Sequence, residues 1–249
     1  MKVRVTPKAE KAQAAQELQI AGFSCSLLLP EGYDAGTDCY PVFYVNGELP
    51  AAEMMAELRR TGISTDFILL SVRPKSWNDD FTPWSAAAFR KGEAPPQGRA
   101  ARYIRCLTEE IKPYMDTCYR TKGKPEHTAL LGYSLGGLAA LYALYLTDRF
   151  GWVCSLSGSL WYDGFCEYME REKPLRQETN VYLSLGKKES QTRNPRMGKV
   201  AACTERAQKI LEEQLNGAVC LEWNEGGHFH DTAGRFTRAV AWLKKEDKI

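Results

Sequence analysis

Residues 127–144 read HTALLGYSLGGLAALYAL, in which a short apolar run, a glycine-rich turn and a helix-forming run follow one another without interruption. The apolar run is typical of a strand that is buried on both faces, as in a parallel sheet covered by helices. The turn requires glycine, because a side chain on Gly132 or Gly136 would collide with the backbone of the adjoining strand and helix. This segment therefore predicts a strand, a sharp turn and a helix packed on a parallel sheet.

The rest of the chain alternates between strand-like and helix-like runs. Strands are predicted at residues 23–30, 40–47, 66–72, 151–158, 180–186 and 218–225. Helices are predicted at residues 51–62, 99–115, 163–172, 197–215 and 233–246, with Pro113 limiting the end of the second. The alternation predicts an α/β fold in one domain over residues 1–249, with a mostly parallel sheet and helices on both faces. Residues 77–98 are interpreted as an insertion near the glycine-rich turn.

Charge and hydropathy exclude several classes of partner. The net charge of +2 at pH 7 gives no reason to expect nucleic acid or an anionic membrane as a partner. No apolar stretch approaches the roughly 20 residues of a membrane span. The first 16 residues lack the apolar segment of a signal peptide, so we expect a cytoplasmic protein.

The cysteines argue against a metal site. All eight are scattered without Cys-x-x-Cys spacing, and the chain has only three histidines. A structural metal needs clustered ligands, so we expect neither a metal nor another cofactor. Free thiols of this kind are typical of a reducing compartment.

Ser134 lies within the pattern Gly-x-Ser-x-Gly, between the predicted strand and helix. Such a turn exposes the serine hydroxyl at the carboxyl edge of the sheet, beside the amides at the start of the helix. A serine there can act as a nucleophile, whereas a phosphate-binding loop would need the Gly-Lys-Ser/Thr that this turn lacks.

A serine nucleophile needs a histidine base and usually an acid. His228 follows the last predicted strand and is the preferred base, with His230 as the alternative. Glu189 lies just after the strand at residues 180–186. It is the preferred acid because, in the chain order expected for such a turn, the acid follows the serine and precedes the histidine. Asp163 is the second candidate acid, and a serine–histidine dyad stays open.

Two backbone amides are expected to stabilise the oxyanion that forms during attack. One is the N–H of Leu135, which follows the serine directly. The other should follow the strand at residues 40–47, where we prefer the N–H of Glu48 over that of Gly47.

With these residues in place, the chain resembles the putative esterase branch of the α/β-hydrolase superfamily, which includes esterase D and the enterochelin esterases. The resemblance rests on LLLPEGYD, YPVFYVNGE, DDFTPW, GYSLGGLAALYAL, FGWVCSLSGSLWYDGF and EGGHFHD. It implies the α/β-hydrolase fold, a three-layer α/β/α sandwich, with Ser134 and His228 as catalytic residues. An acid at the position of Glu189 is less uniform in that branch. Full-length cytoplasmic enterochelin esterases have an extra N-terminal domain, whereas 22 residues precede FSCSLLLP in this sequence.

Aromatic side chains are expected to line the substrate site. Trp77, Trp84 and Trp161 fall in loops on the side where Ser134 should be exposed, and their flat walls would suit a planar acyl group. Phe81 is equally compatible with the core. The basic run at residues 187–199 would favour an anionic ester such as a ferric catecholate if it faced the site.

The leading hypothesis is a serine esterase, either siderophore-esterase-like or a general carboxylesterase, that acts on a small-molecule ester through an acyl-enzyme. The alternatives are a non-catalytic ligand-binding protein on the same scaffold, since a fold alone confers no activity, or an acyltransferase or thioesterase. The sequence is also compatible with a homodimer. It leaves open whether residues 77–98 form a mobile lid.

Overall fold

Eight strands lie side by side in one sheet at the centre of the molecule. The computed structural model describes residues 15–245. The strands are β1 (Gln16–Ile20), β2 (Phe23–Leu28), β3 (Val42–Asn46), β4 (Ile68–Val72), β5 (Thr128–Tyr133), β6 (Trp152–Leu156), β7 (Asn180–Gly186) and β8 (Val219–Asn224). Their order is β1-β2-β4-β3-β5-β6-β7-β8, and β2 is antiparallel to both of its neighbours. The pairs from β4 through β3 to β8 are all parallel, so the carboxyl ends of six strands meet at one edge.

Helices cover both faces of this sheet, as the alternating pattern predicted. They are α1 (Ala51–Arg60), α2 (Trp77–Asp80), α3 (Ala100–Cys106), α4 (Lys112–Cys118), α5 (Leu135–Ala143), α6 (Phe165–Arg171), α7 (Val200–Gln214) and α8 (Thr232–Lys244). Helices α1 and α8 pack together on one face, where Met54, Leu58 and Phe236 are buried. Helices α3, α5, α6 and α7 cover the other face with residues such as Tyr103 and Leu211. The result is a three-layer α/β/α arrangement.

Helix α5 is the most deeply buried of these helices. All nine of its residues, LGGLAALYA, are buried, and it contacts β3, β5 and β6. A helix that is apolar on every side belongs in the interior of a protein. The turn before α5 is therefore held by packing on all sides.

Two local predictions need correction. The sequence pattern did not predict β1, an edge strand whose first four residues, QELQ, remain at least partly exposed. The helix at residues 99–115 does not end near Pro113; a π-helical turn over Leu107–Ile111 joins α3 to α4, which continues to Cys118. Pro113 is the second residue of α4 and directly follows the π-helical turn.

Within residues 15–245, no helix is long and apolar enough to cross a membrane. The predicted last residue of the C-terminal helix, at position 246, and the first 14 residues lie outside the described part.

Candidate active site

Ser134 occupies the turn between β5 and α5 in a strained backbone conformation. Its φ of 59° and ψ of −122° lie outside the regions that residues with a side chain ordinarily adopt. Its N–H donates to the carbonyl of Leu156 at 3.0 Å, and its own carbonyl accepts the N–H of Ser159 at 3.0 Å. Strain of this kind persists only where the surrounding structure enforces it, and such positions cluster at functional sites.

The glycines around this serine are required by close backbone contacts, as the sequence predicted. A Cβ atom on Gly132 would lie 2.1 Å from the carbonyl oxygen of Gly136. A Cβ atom on Gly136 would lie 2.8 Å from the carbonyl oxygen of Asn46. Both neighbours are backbone atoms, so β5, α5 and β3 can approach this closely only without side chains here.

His228 lies in the loop after β8 and reaches the serine. Its Nε2 is 3.1 Å from Ser134 Oγ. The backbone of this loop is held by the hydroxyl of Tyr133, which donates to the carbonyl of His228. The alternative base, His230, is exposed and packs its ring against Gly226 instead.

Glu189 is the carboxylate that faces this histidine. Its Oε2 is 2.8 Å from His228 Nδ1. Its other oxygen, Oε1, accepts hydrogen bonds from the Ser157 hydroxyl, the Gly186 N–H and Arg235 Nη1, each at 2.7 Å. Both oxygens of the carboxylate thus accept hydrogen bonds. The bond from His228 fixes the imidazole with Nδ1 protonated and Nε2 free to accept a proton.

These contacts also set the ionisation of Glu189. Burial raises the pKa of the carboxyl group, but hydrogen bonds from His228, Arg235, Ser157 and Gly186 outweigh burial and lower the pKa to about 2. Glu189 is therefore a carboxylate at neutral pH, although its side chain is almost entirely buried.

The second candidate acid, Asp163, is engaged elsewhere. Its carboxylate forms an ion pair with Arg196 at 2.9 Å, and the side chain is half exposed. Asp163 therefore does not contact the histidine.

Of the two amides predicted for the oxyanion site, Leu135 shares a cavity with Ser134, whereas Glu48 lines a separate groove with Ser24 and Arg73. Leu135 is the first residue of α5, where an N–H has no partner within the helix. Within residues 15–245 no hydrogen bond occupies the Glu48 N–H, whereas the Gly47 N–H donates to the carbonyl of Val72 at 2.9 Å. Of the two amides considered after β3, the structure thus leaves that of Glu48 free.

A cavity of about 490 Å³ opens above Ser134. Its lining is mainly apolar and aromatic, with Trp77, Phe89, Trp161, Met197 and Phe229 among its walls. The segment at residues 77–98 supplies part of this lining. The segment is tied down where the N–H groups of residues 97 and 99 donate to Asp79.

The family model described as putative esterase matches residues 23–238. The chain belongs to the putative esterase family. Membership confirms the resemblance inferred from the sequence and the assignment to the carboxylic ester hydrolases of α/β-hydrolase fold.

Individual proteins similar to this esterase are distant in sequence. The uncharacterized protein YbbA of Bacillus subtilis (strain 168) is 24% identical over 227 residues, covering 88% of this chain and 91% of that protein. An IroE-like serine hydrolase from Shewanella oneidensis has a similar structure with a TM-score of 0.77 at 20% identity, covering 94% of this chain and 81% of the other. The siderophore hydrolase EstA from Aspergillus nidulans gives a TM-score of 0.73 at 18% identity, covering 98% of this chain and 99% of the other. These structural similarities establish the shared fold.

One predicted substrate contact of the esterase is wrong. Trp84 does not line the cavity; it packs against Tyr142, Phe165 and Tyr168, and its Nε1 donates to the carbonyl of Asp163 at 2.9 Å. The large apolar ring is more stable against the core than in the open site. Phe81 is fully buried as well, whereas Trp77 and Trp161 do line the cavity.

The basic run at residues 187–199 does not face the cavity with its charges. Lys187 pairs with Glu225, and Arg196 pairs with Asp163. None of the five lysines and arginines of this run lines the cavity, to which the run contributes Glu189, Thr192 and Met197.

Three further polar residues of this site were not predicted from the sequence. Ser157 and Arg235 bind Glu189. The hydroxyl of Ser159 lies 3.4 Å from that of Ser134. The only signal in the sequence was the Ser-Gly-Ser-Leu-Trp segment that contains the two serines; Arg235 lies in an amphipathic helix where an arginine is ordinarily exposed.

Proposed function

We propose that this protein is a serine esterase that hydrolyses carboxylic esters through an acyl-enzyme formed on Ser134. One observation carries the proposal: a single imidazole, that of His228, lies 3.1 Å from Ser134 Oγ through Nε2 and 2.8 Å from Glu189 through Nδ1. Nucleophile, base and acid are thus within hydrogen-bond distance in one chain of contacts.

In the first half of the reaction, Ser134 Oγ attacks the ester carbonyl while His228 Nε2 accepts its proton. The imidazolium that forms is stabilised by the carboxylate of Glu189, whose low pKa keeps it charged. The N–H groups of Leu135 and Glu48 are proposed to bind the oxyanion of the tetrahedral intermediate. His228 then donates its proton to the leaving alcohol, which leaves the acyl group on the serine.

In the second half, water replaces the alcohol. His228 removes a proton from the water as it attacks the acyl carbonyl, and the same two amides bind the second oxyanion. Collapse of this intermediate returns the proton to Ser134 Oγ and releases the acid. These steps use only side chains and amides of the chain itself.

The cavity supports esters with a planar or aromatic part as substrates. Trp77, Phe89, Trp161 and Phe229 provide flat apolar walls near Ser134, and such rings favour stacking against another ring. Siderophore esters are suitable members of this class to test, because solved structures of the same fold are described as siderophore hydrolases. We propose a small-molecule ester as the partner and the cytoplasm as the location, in keeping with eight free thiols.

The test is the replacement of Ser134 by alanine. We expect S134A to lose at least about a thousandfold in kcat for p-nitrophenyl butyrate, because Ser134 carries the hydroxyl that lies 3.1 Å from the base, His228 Nε2. A fluorophosphonate probe should form a covalent adduct on Ser134 of the native protein, detected by peptide mass spectrometry, and none on S134A.

The matched control is S64A, which removes an exposed loop hydroxyl that bonds only to its neighbour Asp66. S64A should hydrolyse the ester and accept the probe at the native rate, and the thermal unfolding of S134A should show that it is folded. Native turnover by S134A would refute the mechanism. A native protein that binds aryl esters but neither hydrolyses them nor accepts the probe would instead indicate a ligand-binding protein.

A further inference from the structure

Arg235 is a permanent charge in the interior. It lies in the first turn of α8 and is fully buried. An arginine stays protonated in proteins, and a buried charge is tolerated only where it is paired and hydrogen-bonded. Its location beside the candidate site therefore calls for a reason other than packing.

The guanidinium connects the acid to the loop that carries the histidine. Nη1 donates to Glu189 Oε1 at 2.7 Å and also to the hydroxyl of Ser157. Nη2 donates to the carbonyl of Gly227 at 2.9 Å, the residue directly before His228. One planar side chain thus holds both the carboxylate and the backbone beside the imidazole.

Ser157 and Tyr133 make a second set of contacts to the acid and to the histidine loop. The hydroxyl of Ser157 donates to Glu189 and lies 3.2 Å from the hydroxyl of Tyr133. Tyr133 in turn donates to the carbonyl of His228. The carbonyls on both sides of the histidine Cα are therefore bound, one by Arg235 and the other by Tyr133.

We propose that Arg235 is a positioning residue for the ester hydrolysis set out above, an inference that rests on that proposed function. It acts through Glu189 and the Gly227–His228 backbone, and it neither lines the cavity nor contacts Ser134. Its positive charge keeps the carboxylate ionised, and its two separate donors hold the carboxylate and the loop at a fixed distance. The imidazole can then stay within reach of Ser134 through both halves of the reaction.

A lysine at position 235 could not make all of the contacts that Arg235 makes. Its ammonium is a single donor centre, whereas the two Nη atoms of arginine bind acceptors in different directions within one plane. R235K should therefore keep the charge but lose one of the two connections. R235M loses both the charge and the connections.

The experiment measures kcat and KM for p-nitrophenyl butyrate in R235M, R235K, E189Q and the two double variants with E189Q. We expect R235M to lower kcat on the order of ten- to a hundredfold while KM changes less than threefold, with R235K between R235M and the native protein. R238M is the matched control, since Arg238 lies three residues further along α8, is partly exposed and pairs with Glu222 and Asp231. It should retain native kcat.

The decisive readout is the coupling to Glu189. Because Arg235 acts in part through the carboxylate, R235M should lower kcat by a smaller factor in the E189Q background than in the native one. An equal loss in both backgrounds, or a native kcat for R235M, would overturn the inference. If R235M does not fold, R235K and R235K/E189Q complete the same comparison.

The same assay includes S134A, so the two proposals can fail separately. Native activity in S134A would refute the serine mechanism whatever Arg235 does. Loss of activity in S134A together with full activity in R235M would refute only the role of Arg235.

Discussion

Replacing Gly132 by alanine tests the central claim about the turn, that backbone contact rather than chance places glycine there. The added Cβ would lie 2.1 Å from the oxygen and 2.2 Å from the carbon of the Gly136 carbonyl. Ordinary contacts between such atoms begin at about 3.4 Å, so the overlap exceeds 1 Å. Neither partner is a flexible side chain that could rotate away.

Relief of this overlap requires α5 to move away from β5, and α5 is buried on every side. Overpacking of an interior costs about 1–3 kcal/mol where side chains can adjust, and more where they cannot. We expect G132A to lose at least about 3 kcal/mol of unfolding free energy, or on the order of 10 °C in Tm for a chain of this size. Because Ser134 is displaced along with the helix, kcat should fall even for the folded protein.

The assay combines urea unfolding with turnover of p-nitrophenyl butyrate. The control is G36A, where an added Cβ meets its nearest neighbours at 3.7 and 3.9 Å, which are ordinary contacts. G36A should stay within about 1 kcal/mol of the native stability. If G132A were equally stable and active, the steric explanation of the glycine pattern would be wrong.

Other predictions concern charge and the cavity. Because the pKa of Glu189 is lowered from 4.5 to about 2, it contributes about 2–3 kcal/mol of stability above pH 4.5 that is lost as the pH falls toward 2. The free energy of unfolding measured with urea should therefore fall less across that range in E189Q than in the native protein. Equal falls would contradict the low pKa assigned to Glu189. W161A should raise KM for aryl esters about tenfold with little loss of stability. W84A should instead lower the free energy of unfolding by about 3 kcal/mol and leave KM unchanged. Enzyme kinetics and thermal unfolding measure the two effects. Arg90 and Glu93 in the cavity lining have opposite charges, which offset each other. Chromatographic analysis of the products should therefore show that an iron-free catecholate ester is cleaved at least as fast as its anionic ferric complex. A tenfold preference for the ferric form would contradict this.

The elements that sequence reasoning located best are those with strong local signals. The apolar run before Ser134 and the glycines around it determine β5, the turn and the start of α5, which ends at Ala143 although the apolar pattern continues beyond it. Chain order then pointed to Glu189 and His228, and the structure brings both side chains to the serine.

The elements that were missed depend on contacts between distant segments. Strand β1 has an exposed edge and a mostly polar sequence, so its identity comes only from pairing with β2. Trp84 sits in an irregular segment where nothing local distinguishes a ring turned inward from one lining a cavity. Arg235 occurs on a helix at a position that solvent usually covers, and its burial follows from a carboxylate 46 positions earlier in the chain.

The burial of α5 has a consequence for how this protein can change. Because the helix that follows the nucleophile touches core on all sides, selection has little freedom to adjust the floor of the site. The walls come from four separate segments, at residues 77–98, 157–161, 187–200 and 226–231. New ester preferences can therefore arise by changes at residues 77–98 and around Trp161, while the loops that carry Glu189 and His228 keep the proton-transfer groups in place.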